Sequence, residues 1–162
     1  MLDTITKRLI QLAGGVAGLL LLCTVFSDAL AIIFRYGIDR PLIWTEEAQR
    51  YLMVWVAFLA SASCIATGDH MAIDLLSGHL PGWARRLRRM LLLVFTAGYC
   101  GLLVWKGIPL ALNNGDQSAP ATGIPMTYPY LAVGVGSALM LCATFLRIAS
   151  EIATRDLPEE VR

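Results

Sequence analysis

The chain has 162 residues, of which 57% are hydrophobic and only 15% are charged, and its formal net charge is +1. Because soluble domains contain about 25% charged residues, this composition excludes an ordinary soluble domain and indicates a membrane protein. The near-neutral charge, with no basic stripe of interleaved aromatic residues away from the apolar segments, also argues against a nucleic-acid partner.

Four apolar segments are long enough to cross a bilayer, and together they predict an all-α fold. An uncharged run of this length without alternation satisfies its backbone groups in lipid only as a helix. We therefore expect a polytopic membrane protein with four transmembrane helices, in a single domain of residues 1–162. The predicted spans cover residues 9–34, 46–67, 87–112 and 126–146.

The first span has some features of a secretory signal peptide. Lys7 and Arg8 precede it, and residues 29–31 resemble a cleavage site. Its uncharged run, residues 9–27, is longer than the roughly 7–15 residues of a signal peptide, and further spans follow it. We interpret it as the first transmembrane helix.

Asp28 is an acidic residue within this first span. Counting from Arg8 at about 1.5 Å per residue places it about 30 Å away, near the outer boundary of the bilayer. We therefore interpret Asp28 as an interfacial partner of Arg35 or Arg50 rather than as a carboxylate that couples transport to an ion.

The distribution of Lys and Arg predicts the orientation of the four spans. With the N-terminus inside, the inner segments hold nine of these residues: Lys7, Arg8, Arg85, Arg86, Arg88, Arg89, Arg147, Arg155 and Arg162. The outer segments hold only four: Arg35, Arg40, Arg50 and Lys106. Positive residues accumulate on the cytoplasmic side, so both termini are expected to be cytoplasmic.

The second span begins with a cluster of polar residues. Thr45 is predicted as the N-cap, with Glu46 and Glu47 in the first turn, where the helix dipole favours carboxylates. Arg50 follows at a spacing that allows an ion pair with either carboxylate. The sequence therefore predicts an internally paired cluster at the outer membrane boundary.

The segment between the second and third spans is expected to lie along the cytoplasmic interface as a short amphipathic turn or helix. It contains His70 and Asp74, four residues apart. That spacing suits a metal, but two ligands do not make a site. We favour a hydrogen-bonded pair that fastens the segment.

The third span and the loop after it contain several helix-breaking residues. Pro109 predicts a kink or an early end of the helix. The loop, residues 113–126, is rich in Gly and Pro and should be ordered only against another element. Pro125 and Pro129 suit the opening turn of the fourth span, and Tyr130 fits the aromatic belt at the same level.

Few function classes fit this pattern. The spans offer almost no positioned acid, base or nucleophile, so we expect neither an enzyme nor a bound cofactor. Both histidines fall in one loop, which argues against a haem protein, and the middle of each span lacks the polar interruptions of an autonomous transporter. The four cysteines lack paired metal-site spacing. A subunit that braces another membrane protein and a receptor-like scaffold both remain.

A more specific signal lies in the order of particular residues between Phe34 and Gly136. The set comprises Arg35, Tyr36, Trp44, Glu46, Glu47, Arg50, Trp55, Phe58, Leu59, His70 and Asp74, then Ser118, Pro120, Ala121, Gly123, Ile124, Pro125, Met126 and Tyr130. In this order the residues resemble the small permease subunit, the DctQ-type component, of tripartite ATP-independent periplasmic (TRAP) transporters. No single piece is specific, whereas the ordered set is.

The resemblance implies partners and a location. It implies a multi-pass protein of the bacterial inner membrane that associates with a large multi-span permease subunit, a periplasmic solute-binding protein and membrane lipids. Such systems import organic acids with an ion gradient and without ATP hydrolysis. The large subunit of that family carries the substrate and ion sites, so no substrate-binding residue is expected here. The alternative is a membrane scaffold or sensor subunit unconnected to transport.

The resemblance also implies roles for the matching residues. An outer contact cluster would comprise Arg35, Trp44, Glu46, Glu47 and Arg50. His70 and Asp74 would form the inner fastening, Pro120 to Pro125 an outer surface, and Trp55 and Tyr130 further interface or structural positions. Each of these residues has the alternative role of anchoring only its own helix, above all Trp44 and Tyr130.

Overall fold

The computed structural model of the chain describes residues 2–67 and 81–153. Four helices account for the regular structure of these residues: α1 Leu2–Gly37, α2 Ile43–Thr67, α3 Gly82–Asn113 and α4 Thr127–Ala153. The predicted all-α fold is confirmed. His70 and Asp74 lie outside the described residues, so the inner fastening stays a prediction.

Each helix contains an apolar stretch long enough to cross a membrane. The stretches are Ile10–Gly37, Ile43–Ala66, Leu87–Asn113 and Thr127–Glu151. At about 1.5 Å per residue each is longer than the ~30 Å hydrocarbon layer. The prediction of four long apolar helices is therefore confirmed, and each predicted span overlaps one of them.

The helices form an open row rather than a closed square bundle. Helix α2 packs against α1 on one side and α4 on the other, and α3 packs against α4. Helix α1 makes only a small contact with α4. In the described residues α2 and α3 do not pack against each other. The row therefore runs α1, α2, α4, α3, with α1 and α3 at its two edges.

Glycines bring neighbouring helices of the row close together. Gly107 of α3 lies against the backbone of Gly134 of α4. A Cβ atom on Gly136 of α4 would overlap the Phe58 side chain of α2. Small residues at helix crossings let backbones approach, and this close packing drives helix association in lipid.

The buried positions hold small side chains, whereas large apolar side chains point outward. Ala62, Ala132 and Ala143 have no exposed surface. Exposed large residues on the two edge helices include Leu22 and Phe26 of α1 and Phe95, Tyr99 and Trp105 of α3. This pattern suits an apolar medium such as a bilayer. Burying a large apolar side chain there gives little free energy, because lipid tails are as apolar as the side chain.

The predicted N-cap is wrong, and of the two outcomes predicted at Pro109, a kink or an early end, the early end is wrong. Helix α2 begins at Ile43, and Thr45 is not its N-cap. The Thr45 hydroxyl donates instead to the Leu42 carbonyl at 2.6 Å, inside the first turn. Helix α3 continues through Pro109 to Asn113, so Pro109 does not end it. Transmembrane helices tolerate proline because neighbouring groups satisfy the freed carbonyl.

Candidate functional site

Polar side chains of the described residues lie at both ends of the row, and the candidate site residues lie at one of them. Here α1 and α3 end and α2 and α4 begin, and we call this end, residues 35–51 and 113–130, the outer rim. The charge pattern of the sequence predicts that it faces away from the cytoplasm. Two features stand out at the rim: a buried carboxylate that holds a loop, and a polar cavity between α1 and α2.

The buried carboxylate belongs to Glu47, whose exposed fraction is only 8%. Its Oε2 atom accepts the backbone N–H groups of Ala121 at 2.9 Å and Thr122 at 2.8 Å. Its Oε1 atom accepts the Tyr51 hydroxyl at 2.9 Å. We call these four residues the Glu47 latch. The latch connects the N-terminal part of α2 to the loop between α3 and α4.

The helix explains why this carboxylate is favourable here. Glu47 lies near the N-terminus of α2, where the helix dipole stabilises negative charge. Hydrogen bonds to an ionised carboxylate are about twice as strong as neutral ones, and burial of the carboxylate without them is costly. The two loop amides and the Tyr51 hydroxyl provide those bonds.

The loop held by the latch has a compact backbone of its own. Ala119 donates to the Ile124 carbonyl at 2.9 Å, and Met126 donates to the Gln117 carbonyl at 2.8 Å. Gly123 has a φ of 69°, a conformation that favours glycine. The Gly- and Pro-rich loop was expected to be ordered only against another element, and α2 of the same chain is that element.

The loop also presents an apolar outer surface. Pro120, Ala121 and Pro125 are exposed, and Ile124 is 41% exposed. Ala119 faces inward and is 2% exposed. The predicted outer surface of Pro120 to Pro125 therefore lies at the rim with its side chains accessible, and its role as a contact surface stays a prediction.

The predicted pairing of Arg50 is wrong. Among the residues that the structure describes, Arg50 forms no ion pair with Glu46 or Glu47. The reason is that both Glu47 oxygens already accept hydrogen bonds from Tyr51 and the loop, while Glu46 and Arg50 are exposed. The outer cluster is therefore held by the loop, not by internal charge pairing.

The predicted pairing of Asp28 is also wrong within the described part of the chain. Asp28 forms no ion pair with Arg35 or Arg50. The Arg35 guanidinium lies instead over the ring of Tyr36, 5.9 Å from its centroid. Both Asp28 and Arg35 line the cavity between α1 and α2.

This cavity has a volume of about 230 Å³. Its lining combines charged, amide and apolar side chains: Asp28, Ala31, Ile32, Arg35, Tyr36, Pro41, Leu42, Thr45, Glu46 and Gln49. The Nε2 atom of Gln49 is buried and has no hydrogen-bond partner in the described residues. Arg35 and Glu46 were predicted site residues, whereas Gln49 was not. The signal for Gln49 was its position three residues after Glu46, which places both side chains on the same face of α2.

The remaining site residues divide into exposed and packed positions. Trp44 is 46% exposed at the rim. Trp55 packs against the cluster of Ala13, Ala17 and Leu59 between α1 and α2, which favours its structural reading. Tyr130 is half-buried in the first turns of α4, a position that suits both an interface role and the anchoring of its own helix.

Comparison with protein families matches residues 20–154 to the DctQ component of tripartite ATP-independent periplasmic transporters. The C4-dicarboxylate TRAP transporter small permease protein DctQ of Rhodobacter capsulatus is 34% identical over 120 residues, which cover 72% of this chain and 52% of that protein.

Two further relatives differ in length. The ectoine TRAP transporter small permease protein TeaB of Halomonas elongata is 21% identical over 159 residues, covering 97% of this chain and 82% of that protein. The sialic acid TRAP transporter permease protein SiaT of Haemophilus influenzae is 29% identical over 130 residues, covering 75% of this chain but only 20% of that protein.

Proposed function

Since the chain belongs to the DctQ component family of tripartite ATP-independent periplasmic transporters, we propose that it is a non-catalytic brace for a large permease subunit. The two subunits would reside in the inner membrane, with both termini of this chain in the cytoplasm. They would take up an organic acid that a periplasmic solute-binding protein delivers, driven by an ion gradient.

The observation that carries this proposal is the open row of membrane-length helices. Within residues 2–67 and 81–153, both edge helices keep one long face with no other helix against it. Each face contains a pair of glycines three residues apart with no atom near their Cβ positions: Gly15 and Gly18 on α1, and Gly98 and Gly101 on α3. Such faces allow another transmembrane helix to approach closely.

The relatives support a permease partner. In SiaT the segment similar to this chain accounts for 20% of the protein, so a DctQ-like region and a much longer permease region occur in one polypeptide. The substrate class rests on the relatives named for a C4-dicarboxylate and for sialic acid.

The Glu47 latch supports a role of the outer rim as a contact surface for another protein. A loop whose backbone amides are tied to α2 presents Pro120 and Ile124 in one fixed arrangement. Preorganisation of this kind lowers the entropy lost on binding. We assign the loop surface to contact with the solute-binding protein, and Arg35, Trp44, Glu46 and Arg50 to the same outer contact region.

Transport by the reconstituted system tests this function. Proteoliposomes that contain the chain, the large subunit and an imposed ion gradient should accumulate the organic acid only when the binding protein is added. Vesicles with this chain alone should show no flux. Flux through this chain alone would contradict the proposal, and full uptake by the large subunit without it would favour a scaffold or sensor unconnected to transport.

A pair of substitutions tests lateral docking through the edge helices. Gly18→Leu places a large side chain on the α1 face, and Gly101→Leu does the same on the α3 face. We expect at least one of them to abolish co-purification with the large subunit, because a bulky residue prevents close helix approach. Retention of the large subunit by both variants would exclude docking at these glycines.

A further inference from the structure

The cavity between α1 and α2 at the outer rim is not explained by the proposed function. It is lined by the carboxylates of Asp28 and Glu46 and by the guanidinium of Arg35. Within the described residues none of these three charges forms an ion pair. The cavity therefore keeps both kinds of charge available to a ligand.

Gln49 adds an amide side chain to this lining. The volume of about 230 Å³ exceeds that of several water molecules at about 30 Å³ each, so the cavity has room for a polar group larger than one water.

We propose that this cavity binds the phosphoethanolamine headgroup of a phospholipid in the outer leaflet. The ammonium group donates to the carboxylates of Asp28 and Glu46. The phosphate accepts hydrogen bonds from the guanidinium of Arg35. Two carboxylates against one guanidinium leave the cavity net negative, which disfavours an anionic headgroup such as phosphatidylglycerol.

The depth of the cavity matches the headgroup level. Asp28 lies 20 residues above Arg8 on α1, or roughly 30 Å at about 1.5 Å per residue, which is the thickness of the hydrocarbon layer. With Arg8 at the inner boundary of the hydrocarbon layer, the cavity opens at the level of the outer lipid headgroups.

The surface below the cavity suits acyl chains. Val25 lies one helical turn below Asp28 on α1, and Met53 lies one turn below Gln49 on α2. Val25 is 58% exposed and Met53 is 68% exposed. A headgroup in the cavity thus has apolar surface beneath it on both helices, which favours a phospholipid over a free zwitterion as the occupant.

Lipid titration of the full chain tests this proposal. The delipidated protein in detergent is titrated with short-chain phosphatidylethanolamine, phosphatidylglycerol or soluble phosphoethanolamine, and bound lipid is counted by native mass spectrometry. We expect phosphatidylethanolamine to bind at least tenfold more tightly than phosphatidylglycerol. Equal binding of the two lipids would overturn the proposal. Soluble phosphoethanolamine binding as tightly as the lipid would also overturn it, in favour of a free zwitterion.

Variants of the lining residues complete the test. Asp28→Asn and Arg35→Gln should each weaken phosphatidylethanolamine binding about tenfold, the usual effect of removing a charge-assisted hydrogen bond. Asp39→Asn makes the same carboxylate-to-amide change at an exposed position outside the cavity and should bind like the unchanged chain. Unchanged melting temperatures without lipid would show that the variants fold. Variants that fold and bind normally would refute the site.

Discussion

Glu47 is the residue on which the outer rim depends. The sequence predicted Glu47 in the first turn of α2, but α2 begins at Ile43, so the first turn contains Glu46 and Glu47 directly follows it. A carboxylate near a helix N-terminus is still favourable. Its partners Ala121 and Thr122 could not be predicted, since they bind through backbone N–H groups that any residue except proline carries. Glu46, which has the same local propensity, is exposed.

Removal of the Glu47 charge should release the loop. Glu47→Gln leaves one carbonyl oxygen in place of two carboxylate oxygens, and we expect a loss of about 1.5–3 kcal/mol in the stability of the latched loop. Hydrogen exchange at Ala121 and Thr122 should accelerate accordingly in the purified chain.

Asp39→Asn provides the control for this experiment. Asp39 is exposed and has a φ of 57°, which asparagine also tolerates. The protection of the loop amides should not change in this variant. Equal protection of the loop in Glu47→Gln and in the unchanged chain would show that the latch does not hold it.

Glu46 and Arg50 should act independently. Because they form no ion pair in the described part of the chain, the effects of Glu46→Ala and Arg50→Ala on the free energy of unfolding should add within about 0.5 kcal/mol. Denaturant unfolding of the two single variants and the double variant measures the sum. A coupling energy above that range would restore the pairing that the sequence predicted.

At the scale of helices, hydropathy predicted the four spans because an apolar run of this length has only one stable form in lipid. The ends were less predictable. Local signals indicated a start at Thr45 and a kink or a stop at Pro109, but α2 begins at Ile43 and α3 continues to Asn113. The order of the helices in the row depends on contacts such as Gly136 with Phe58, which no single-helix pattern reveals.

The contact between α2 and α4 should be sensitive to one methyl group. Gly136→Ala introduces a Cβ atom that overlaps Phe58, and overpacking of this kind costs about 1–3 kcal/mol. Gly98→Ala, on a helix face with no atom near the new Cβ position, should be neutral or stabilising. Unfolding of the purified chain compares the two, and equal stability of the two variants would argue against close α2–α4 packing.

At the scale of the molecule, the distribution of Lys and Arg predicted that both termini face the cytoplasm. This orientation in the membrane can be tested directly. Asp39→Cys, in the turn between α1 and α2, should react with a membrane-impermeant maleimide from the periplasmic side. The experiment uses a chain in which the four native cysteines are replaced. Protection from outside, with labelling only in inverted vesicles, would reverse the topology and move the Glu47 latch to the cytoplasmic side.

The proposed role of the whole molecule requires the edge helices of this open row to bind a large permease subunit. This binding can be tested by mass spectrometry of the complex that copurifies with the tagged chain after mild detergent extraction. We expect a multi-span permease in equimolar amount. Recovery of the chain by itself, under conditions in which the permease is also expressed and extracted, would contradict it.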